Sequence, residues 1–387
     1  MKKTLCYPLQ MDDFEYFVDD ESYESESIDS DSGISTGSST ISSTSSYEEP
    51  TDELIKDILK EINSQNSHFI REMIVFSING ALAEDTRLCS SAVVFLWKLF
   101  KLTSSSDHIV TDKILTNCPE LLCSIKVLVL DKNKSKELHF YVSGIYYYAS
   151  KSKIGSDQIL ENSIDALLCM MNSSVKAVVH YSFTCIHNVL LHVPKSRDLI
   201  SKNYDLSSLI QHLSSLNGCL ESRLELITVD ILSRLATKHE ENKKILLSKK
   251  ILHKCLETVM NSSTTKAIIV HSHMIRVLST NVDCKECLLN NHEFIKFLIG
   301  TCLQINETHA NRIFWSIVLN ISDKLLFAIN GCQMGIPKLV NRMVRSIKNY
   351  RKTPISMEMV GIILCCLSNF SCHQEWVKDI IWKVWYE

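Results

Sequence analysis

The sequence predicts an all-α protein, a right-handed α-solenoid of helical repeats preceded by a disordered acidic N-terminal tail. Three observations support this fold class. Apolar residues of the body recur at helical spacing. A similar helix ending returns every 40 to 49 residues. Only 10 glycines and 6 prolines occur among 387 residues, which favours long helices over a turn-rich β fold.

The predicted tail covers residues 1–55 and is strongly acidic. It contains two lysines and fourteen Asp or Glu residues, so it carries a net charge of −12, whereas the whole chain carries −3. The remaining residues 56–387, the predicted repeat domain, therefore carry +9. An acidic, serine-rich segment buries too little apolar surface to fold alone, so we expect a disordered regulatory region joined to a basic body.

The composition also excludes several classes of protein. Fifteen cysteines occur, yet Met1-Lys2-Lys3 precedes polar residues and no apolar signal segment, so free thiols in a reducing compartment are expected. Apolar runs such as 92–97 are too short for membrane insertion. We find no glycine-rich phosphate loop, nucleophile motif or complete metal-ligand pattern, and we expect neither an enzyme nor a cofactor. Basic residues without interleaved aromatics argue against direct nucleic-acid binding.

The repeats are marked by their helix endings. Clear copies are His187-Asn188-Val189-Leu190, Arg276-Val277-Leu278-Ser279, Leu319-Asn320-Ile321-Ser322 and Leu367-Ser368-Asn369-Phe370-Ser371, and weaker copies end near 101, 148 and 234. We call 101, 148, 188, 234, 277, 320 and 369 the marker positions. Their period is that of armadillo or HEAT units, which bury their apolar faces against neighbouring units and form an extended concave groove.

Several of these segments resemble the β-catenin and armadillo family. The segment His180–His192 is similar to the family helix that ends in His-Asn-Leu-Leu-Leu-His, and 314–323 and 367–372 are similar to two later segments of the family. Asp31–Thr40 is similar to the family's destruction box. The resemblance covers nearly the whole chain but only about the first seven of the family's twelve repeats. It implies an armadillo solenoid that binds proteins.

The tail carries the predicted regulatory site. Ser32, Thr36, Thr40 and Thr44 fall at steps of four, and the resemblance implies phosphorylation by destruction-complex kinases on their scaffold, followed by capture by a ubiquitin ligase. Because twelve of residues 30–46 are Ser or Thr, such a spacing also arises in a plain solvated linker. The core Asp31-Ser32-Gly33-Ile34 favours the phosphodegron. The family has Ser where this chain has Thr36.

The repeat domain carries the predicted partner-binding groove. The resemblance places the family's two anchoring lysines at Lys243 and Lys378 and a further basic groove residue at Arg276, where each would face an acidic extended peptide. It implies that the groove asparagines hydrogen-bond the peptide backbone, although each could instead tie down a helix end of its own repeat. These asparagines are Asn188, Asn320 and Asn369.

Other positions depart from the family. Tyr148 replaces a ladder asparagine, Leu319 replaces a groove arginine, and His273 replaces a basic residue. Residues 78–80 lie in the segment of the family's α-catenin contact but differ from it, which argues against α-catenin as a partner.

Two functions follow from the resemblance. The first is a Wnt-pathway scaffold in the cytoplasm and nucleus that binds a T-cell-factor-type transcription factor and acts as a coactivator or as a competitor. The alternative is an adhesion adaptor at cell junctions that holds a cadherin tail. A nuclear-import adaptor of similar shape would need a tryptophan-asparagine ladder and an acidic rim, which the basic body lacks.

Overall fold

The structure is a computed structural model. It describes residues 52–63, 67–104, 108–131, 134–203, 206–215, 219–304, 309–324, 335–349 and 356–386. The four predicted phosphorylation sites of the tail lie outside these residues. Throughout the described ranges the secondary structure is helical, with no strand.

Seven long helices form a continuous row, because each of them packs against the next one in the chain. Every one of the seven marker positions lies in the last turns of one of these helices. The helices are α3 (Thr86–Ser104), α7 (Lys136–Ser150), α10 (Lys176–His192), α13 (Cys219–Ala236), α16 (Thr265–Leu278), α19 (His309–Ile321) and α21 (Met357–His373).

The remaining helices join and cover this row. They are α1 (Asp52–Asn63), α2 (Ser67–Ala81), α4 (His108–Asn117), α5 (Leu121–Ile125), α6 (Val127–Leu130), α8 (Lys153–Asn162), α9 (Ile164–Met170), α11 (Ser196–Asn203), α12 (Leu206–Ser215), α14 (Glu240–Ser248), α15 (Ile251–Asn261), α17 (Val282–Asn290), α18 (His292–Gln304), α20 (Ile336–Lys348) and α22 (Glu375–Tyr386). Helix α1 begins at Asp52, slightly before the boundary that composition indicates, and the acidic Glu53 in its first turn suits the positive end of the helix dipole.

The helix starts have local causes in the sequence. Serine side chains accept a hydrogen bond from the third residue along the chain at Ser135, Ser152 and Ser356, which satisfies an otherwise unpaired backbone N–H. Gly335 precedes α20 with φ of 98°, a conformation that side-chain-bearing residues rarely adopt, and Pro337 follows in the first turn of that helix.

One apolar core runs the length of the repeats. It consists mainly of Ile, Leu and Val side chains, and the larger buried rings include Phe100, Tyr146 and Phe183. The Tyr146 hydroxyl donates to the Leu122 carbonyl at 2.7 Å, so this buried polar group is satisfied and joins α7 to α5. Among the described helices, none is both long enough and apolar enough to cross a membrane.

Candidate functional site

The three predicted asparagines bridge neighbouring repeats. In each case the side-chain amide donates to a serine hydroxyl at the end of the preceding long helix. The pairs are Asn188 with Ser150 at 3.0 Å, Asn320 with Ser279 at 2.9 Å, and Asn369 with Ser322 at 2.9 Å. Each of these hydrogen bonds joins two neighbouring repeats. The asparagine amides therefore neither cap a helix end within their own repeat nor remain unbonded until a peptide arrives.

The serines of these pairs are themselves fixed. Each serine hydroxyl donates to the carbonyl three residues earlier, as Ser150 does to Tyr147 at 2.7 Å and Ser279 to Arg276 at 2.8 Å. The hydroxyl proton is thereby used, and the oxygen is left to accept from asparagine. Within the described part of the chain the three asparagine carbonyl oxygens accept no hydrogen bond, so the N–H of a bound peptide could use them.

The partner serines were not predicted from the sequence, although the sequence carries a signal for them. Each one lies two residues after a marker position, and an asparagine stands at the marker of the following repeat. Where Leu190 and Ala236 occupy that place, the next markers are Arg234 and Val277. A methyl or methylene surface cannot accept a hydrogen bond, so asparagine has no advantage in the repeat that follows.

A buried ionic cluster replaces the asparagine bridge between α10 and α13. Asp230 accepts from Arg234 Nε at 2.6 Å and lies 2.6 Å from His187 Nε2 of the preceding long helix. Burial alone would raise the pKa of the Asp230 carboxyl, but Arg234 and His187 together hold that pKa well below its usual range. The negative charge is therefore retained inside the protein and links two repeats.

Arg276 belongs to a second buried arrangement between α13 and α16. Its Nη2 lies 2.7 Å from Nε2 of His273, whose Nδ1 lies 3.0 Å from the Ser233 hydroxyl. Burial lowers the pKa of Arg276. The Arg276 carbonyl accepts from the Asn320 amide at 3.1 Å, so the structure brings these two predicted groove residues together.

Lys243 is buried, with 3% of its surface exposed, and its ammonium is already paired inside the protein. It donates to Glu240 at 2.6 Å and to the Thr280 hydroxyl at 2.7 Å. The bond from Lys243 is the largest influence that lowers the pKa of Glu240, whose carboxylate also accepts from Asn281 at 3.2 Å. A peptide carboxylate would therefore reach Lys243 only by sharing it with Glu240 or by replacing Glu240.

Lys378 has the same local arrangement but is accessible. It donates to Glu375 at 2.7 Å, and half of its side chain is exposed. In both repeats the glutamate lies in the first turn of a short helix and the lysine three residues later. This match supports the equivalence of Lys243 and Lys378, which lie at separate places along the row.

The described residues do not bring potential metal ligands together. No group of three or more His, Cys, Asp or Glu side chains within them could hold a metal ion. Cys284 and Cys287, which share the spacing of a metal-ligand pair, are free thiols, and only Cys287 is exposed.

Comparisons with known proteins agree with this architecture. No protein-family model matches the chain. Human junction plakoglobin is 22% identical over 339 residues, which cover 82% of this chain and 42% of plakoglobin. Catenin beta of Urechis caupo is 24% identical over 207 residues, 53% of this chain and 24% of that protein. The chain thus matches less than half the length of these relatives.

Two solved structures show the fold. One comes from a study of a phosphorylation switch that controls the interaction between cadherin and beta-catenin; it has a TM-score of 0.58 and 17% identity, and the match covers 79% of this chain and 53% of that one. A designed armadillo repeat protein has a TM-score of 0.51 and 12% identity, with 65% and 99% covered. The predicted all-α armadillo solenoid and the resemblance to the β-catenin and armadillo family are thereby confirmed.

Proposed function

We propose that this chain, a divergent relative of junction plakoglobin and beta-catenin, is a non-enzymatic, catenin-like scaffold that binds extended acidic peptides along its row of long helices. The observation that carries the proposal is the set of asparagine amides held in place by serine hydroxyls of the preceding repeats. Their carbonyl oxygens recur along the row, as the repeating N–H groups of an extended peptide require.

The charged residues of the site suit an acidic partner. The repeat domain carries +9 by sequence, and Lys378 is half exposed beside Glu375. Lys243 is pre-positioned by Glu240 and Thr280, so little side-chain entropy is lost when a peptide carboxylate pairs with it. Arg276 is half-buried, and its backbone carbonyl accepts from the Asn320 amide, so it lies directly beside one of the groove asparagines.

The finer proposal is a Wnt-pathway scaffold that binds a T-cell-factor-type transcription factor. The destruction-box-like tail supports it, because kinases and a ubiquitin ligase acting at Ser32 and Thr36 would set the abundance of the protein in cytoplasm and nucleus. An adhesion adaptor that binds cadherin tails is the second candidate. It is supported by the likeness to plakoglobin and to the structure from the cadherin and beta-catenin study.

Calorimetry on the full chain with three partners, side by side, tests the proposal. The partners are a T-cell-factor segment, a phosphorylated cadherin tail and α-catenin. Micromolar or tighter binding of the T-cell-factor segment supports the signalling function. Binding of the phosphorylated cadherin tail with that affinity supports the adhesion function. We expect no binding of α-catenin. Failure of both acidic partners to bind would refute the peptide-binding scaffold.

The lysines have a matched control. Lys243→Glu with Lys378→Glu should weaken an acidic peptide by a few kcal/mol at most. Lys244 neighbours Lys243 but is exposed and pairs with Glu241 at 2.8 Å, so Lys244→Glu should change binding much less. If the Lys243→Glu and Lys378→Glu double variant and the Lys244→Glu variant weakened binding equally, Lys243 and Lys378 would not belong to the binding site. The peptide would then be held only by general electrostatic attraction.

A further inference from the structure

Six aromatic rings form a continuous cluster on α3, α7 and α10, which we call the aromatic patch; four of them are half-buried, and Tyr148 and Tyr181 are buried. The rings are Trp97, Phe140, Tyr141, Tyr147, Tyr148 and Tyr181. Neighbouring rings are in direct contact, with centroids 5.3 Å apart for Trp97 and Tyr141 and 5.1 Å apart for Tyr147 and Tyr181. Phe140 joins the two halves, because its ring lies 5.7 Å from Tyr181.

Two lysines lie over these rings at the same helical spacing. Lys101 Nζ lies 5.0 Å from the centroid of Trp97, four residues earlier. Lys151 Nζ lies 5.0 Å from the centroid of Tyr147, also four residues earlier, and 5.6 Å from that of Tyr148. The patch therefore combines aromatic rings with two cations that lie over them.

Five of the six rings of the aromatic patch lie on α3 and α7, and no asparagine bridge among the described residues joins these two helices; the first such bridge, Asn188 with Ser150, joins α7 to α10. Its two marker positions hold Lys101 and Tyr148, whereas asparagine first appears at Asn188. Between α3 and α7 the described row therefore offers no asparagine amide to a peptide backbone. Its chemistry suits side chains, namely rings that pack on rings and carboxylates that pair with lysine.

One segment of the same chain has the complementary composition. Residues 12–21 read Asp-Asp-Phe-Glu-Tyr-Phe-Val-Asp-Asp-Glu, with three aromatic residues, six acidic residues and no basic residue. The segment offers the aromatic side chains that the patch can pack and the carboxylates that Lys101 and Lys151 can pair.

The connection to the repeat domain permits this contact within one molecule. Thirty residues lie between Glu21 and Asp52, and an extended chain of that length spans about 100 Å. Helix α1 starts at Asp52 and packs against α3, which carries Trp97 and Lys101. The tail thus joins the repeat domain at a helix that packs on α3, and tethering gives the segment an effective concentration on the order of millimolar.

We propose that Asp12–Glu21 docks on the aromatic patch of its own chain. The docked segment occupies the first part of the row of long helices, so an acidic partner that extends over these repeats has to displace it. The inference does not depend on whether that partner is a transcription factor or a cadherin tail.

Photo-crosslinking in the full chain tests the proposal. Phe17 is replaced by p-benzoylphenylalanine, the protein is irradiated at low concentration, and the crosslinked peptides are identified by mass spectrometry. We expect crosslinks within one molecule to the peptides that carry Trp97 or Tyr147. Lys101→Glu with Lys151→Glu should lower the yield roughly fivefold, the size expected for two partly exposed ion pairs turned repulsive. Charge reversal at Asp19 and Asp20 should restore it.

A control of equal charge separates docking from general attraction. Lys136 and Lys202 are exposed, and Lys136 is the first residue of α7, the helix that Lys151 directly follows. Lys136→Glu with Lys202→Glu should leave the yield unchanged, and circular dichroism verifies that both double variants fold. The proposal would be overturned if no crosslinks formed, if they formed only between molecules, or if they mapped to other repeats. It would also be overturned if the crosslinking yield dropped by the same amount in both double variants.

Discussion

Arg234 donates through Nε to the carboxylate of Asp230 at 2.6 Å, one helical turn away, with both side chains nearly inaccessible to solvent. His187 contacts the same carboxylate from the preceding long helix at 2.6 Å. A buried charge is tolerated only when it is paired, so removal of the carboxylate leaves a guanidinium stranded in the core.

Asp230→Asn should therefore lower the free energy of unfolding by about 3–5 kcal/mol. Urea titration followed by circular dichroism measures the loss. The exposed Asp198, which pairs with His239 at 2.9 Å, gives a control of the same kind, and Asp198→Asn should cost less than about 1 kcal/mol. Similar losses in the two variants would contradict the role of burial.

The same pair predicts a dependence on pH. Because the folded pKa of Asp230 lies below the unfolded value, its stabilisation is complete above about pH 4 and is lost as the pH falls toward the folded pKa. Between about pH 5 and pH 3 the parent protein should lose more unfolding free energy than Asp230→Asn. Parallel curves would show that this carboxyl does not cause the acid sensitivity.

The asparagine bridge predicts a coupling between Asn320 and Ser279. Ser279→Ala removes the acceptor of the 2.9 Å bond and should cost about 1 kcal/mol, with a coupling of about 0.5–1.5 kcal/mol in a double-mutant cycle with Asn320→Ala. Ser371 also donates to the carbonyl three residues earlier, and no asparagine of the described residues bonds it. Ser371→Ala should therefore lower the free energy of unfolding by less than Ser279→Ala does. Zero coupling in the double-mutant cycle would show that the bond between Asn320 and Ser279 does not stabilise the protein.

Two helical glycines make a matched pair. A Cβ at Gly144 would lie 2.5 Å from Nε1 of Trp97, whereas a Cβ at Gly300 would meet nothing within 4 Å. Gly144→Ala should destabilise by about 1–3 kcal/mol and shift the Trp97 fluorescence. Gly300→Ala should stabilise by up to about 1 kcal/mol. Thermal melts measure both, and a neutral Gly144→Ala would show that Trp97 is free to move.

Adjacent cysteines should react very differently with an alkylating reagent. Cys365 is exposed, whereas Cys366 is buried, and burial raises the pKa of its thiol well above the usual value. Brief treatment of the native protein with iodoacetamide at about pH 8 should label Cys365 and spare Cys366. Mass spectrometry reads the sites, and urea-unfolded protein provides the control in which both react. Equal native labelling would contradict the packing of α21.

The tail makes a prediction about abundance. Under Wnt-off conditions, Ser32→Ala with Thr36→Ala should lengthen the cellular half-life several-fold, because an uncharged methyl group cannot pair with the basic pocket of a ligase. Thr36→Ser, which installs the residue of the family, should keep turnover or speed it. An unchanged half-life in the alanine variant would show that this stretch is a linker.

Most of the architecture could be predicted from the sequence, because the apolar spacing and the marker positions repeat with one period. Each marker lies near the end of a long helix, as Asn188 does in α10. The bonding at those positions could not be predicted in the same way. The partner of Asn320 is Ser279, 41 residues away, and this pairing depends on how repeats stack. Likewise, the burial of Lys243 depends on Thr280 of the next repeat.

The serine and asparagine pairs mean that the repeats of this chain have an order and cannot be exchanged at will. A unit that ends in serine accepts a following unit that carries asparagine, and the units of α19 and α21 both meet this rule. If the α19 unit followed the α10 unit directly, Asn320 would face Leu190, and its half-buried amide would lose the serine acceptor that Ser279 provides. Recombination between repeats is therefore tolerated at some junctions and destabilising at others, and two residues in each unit decide which.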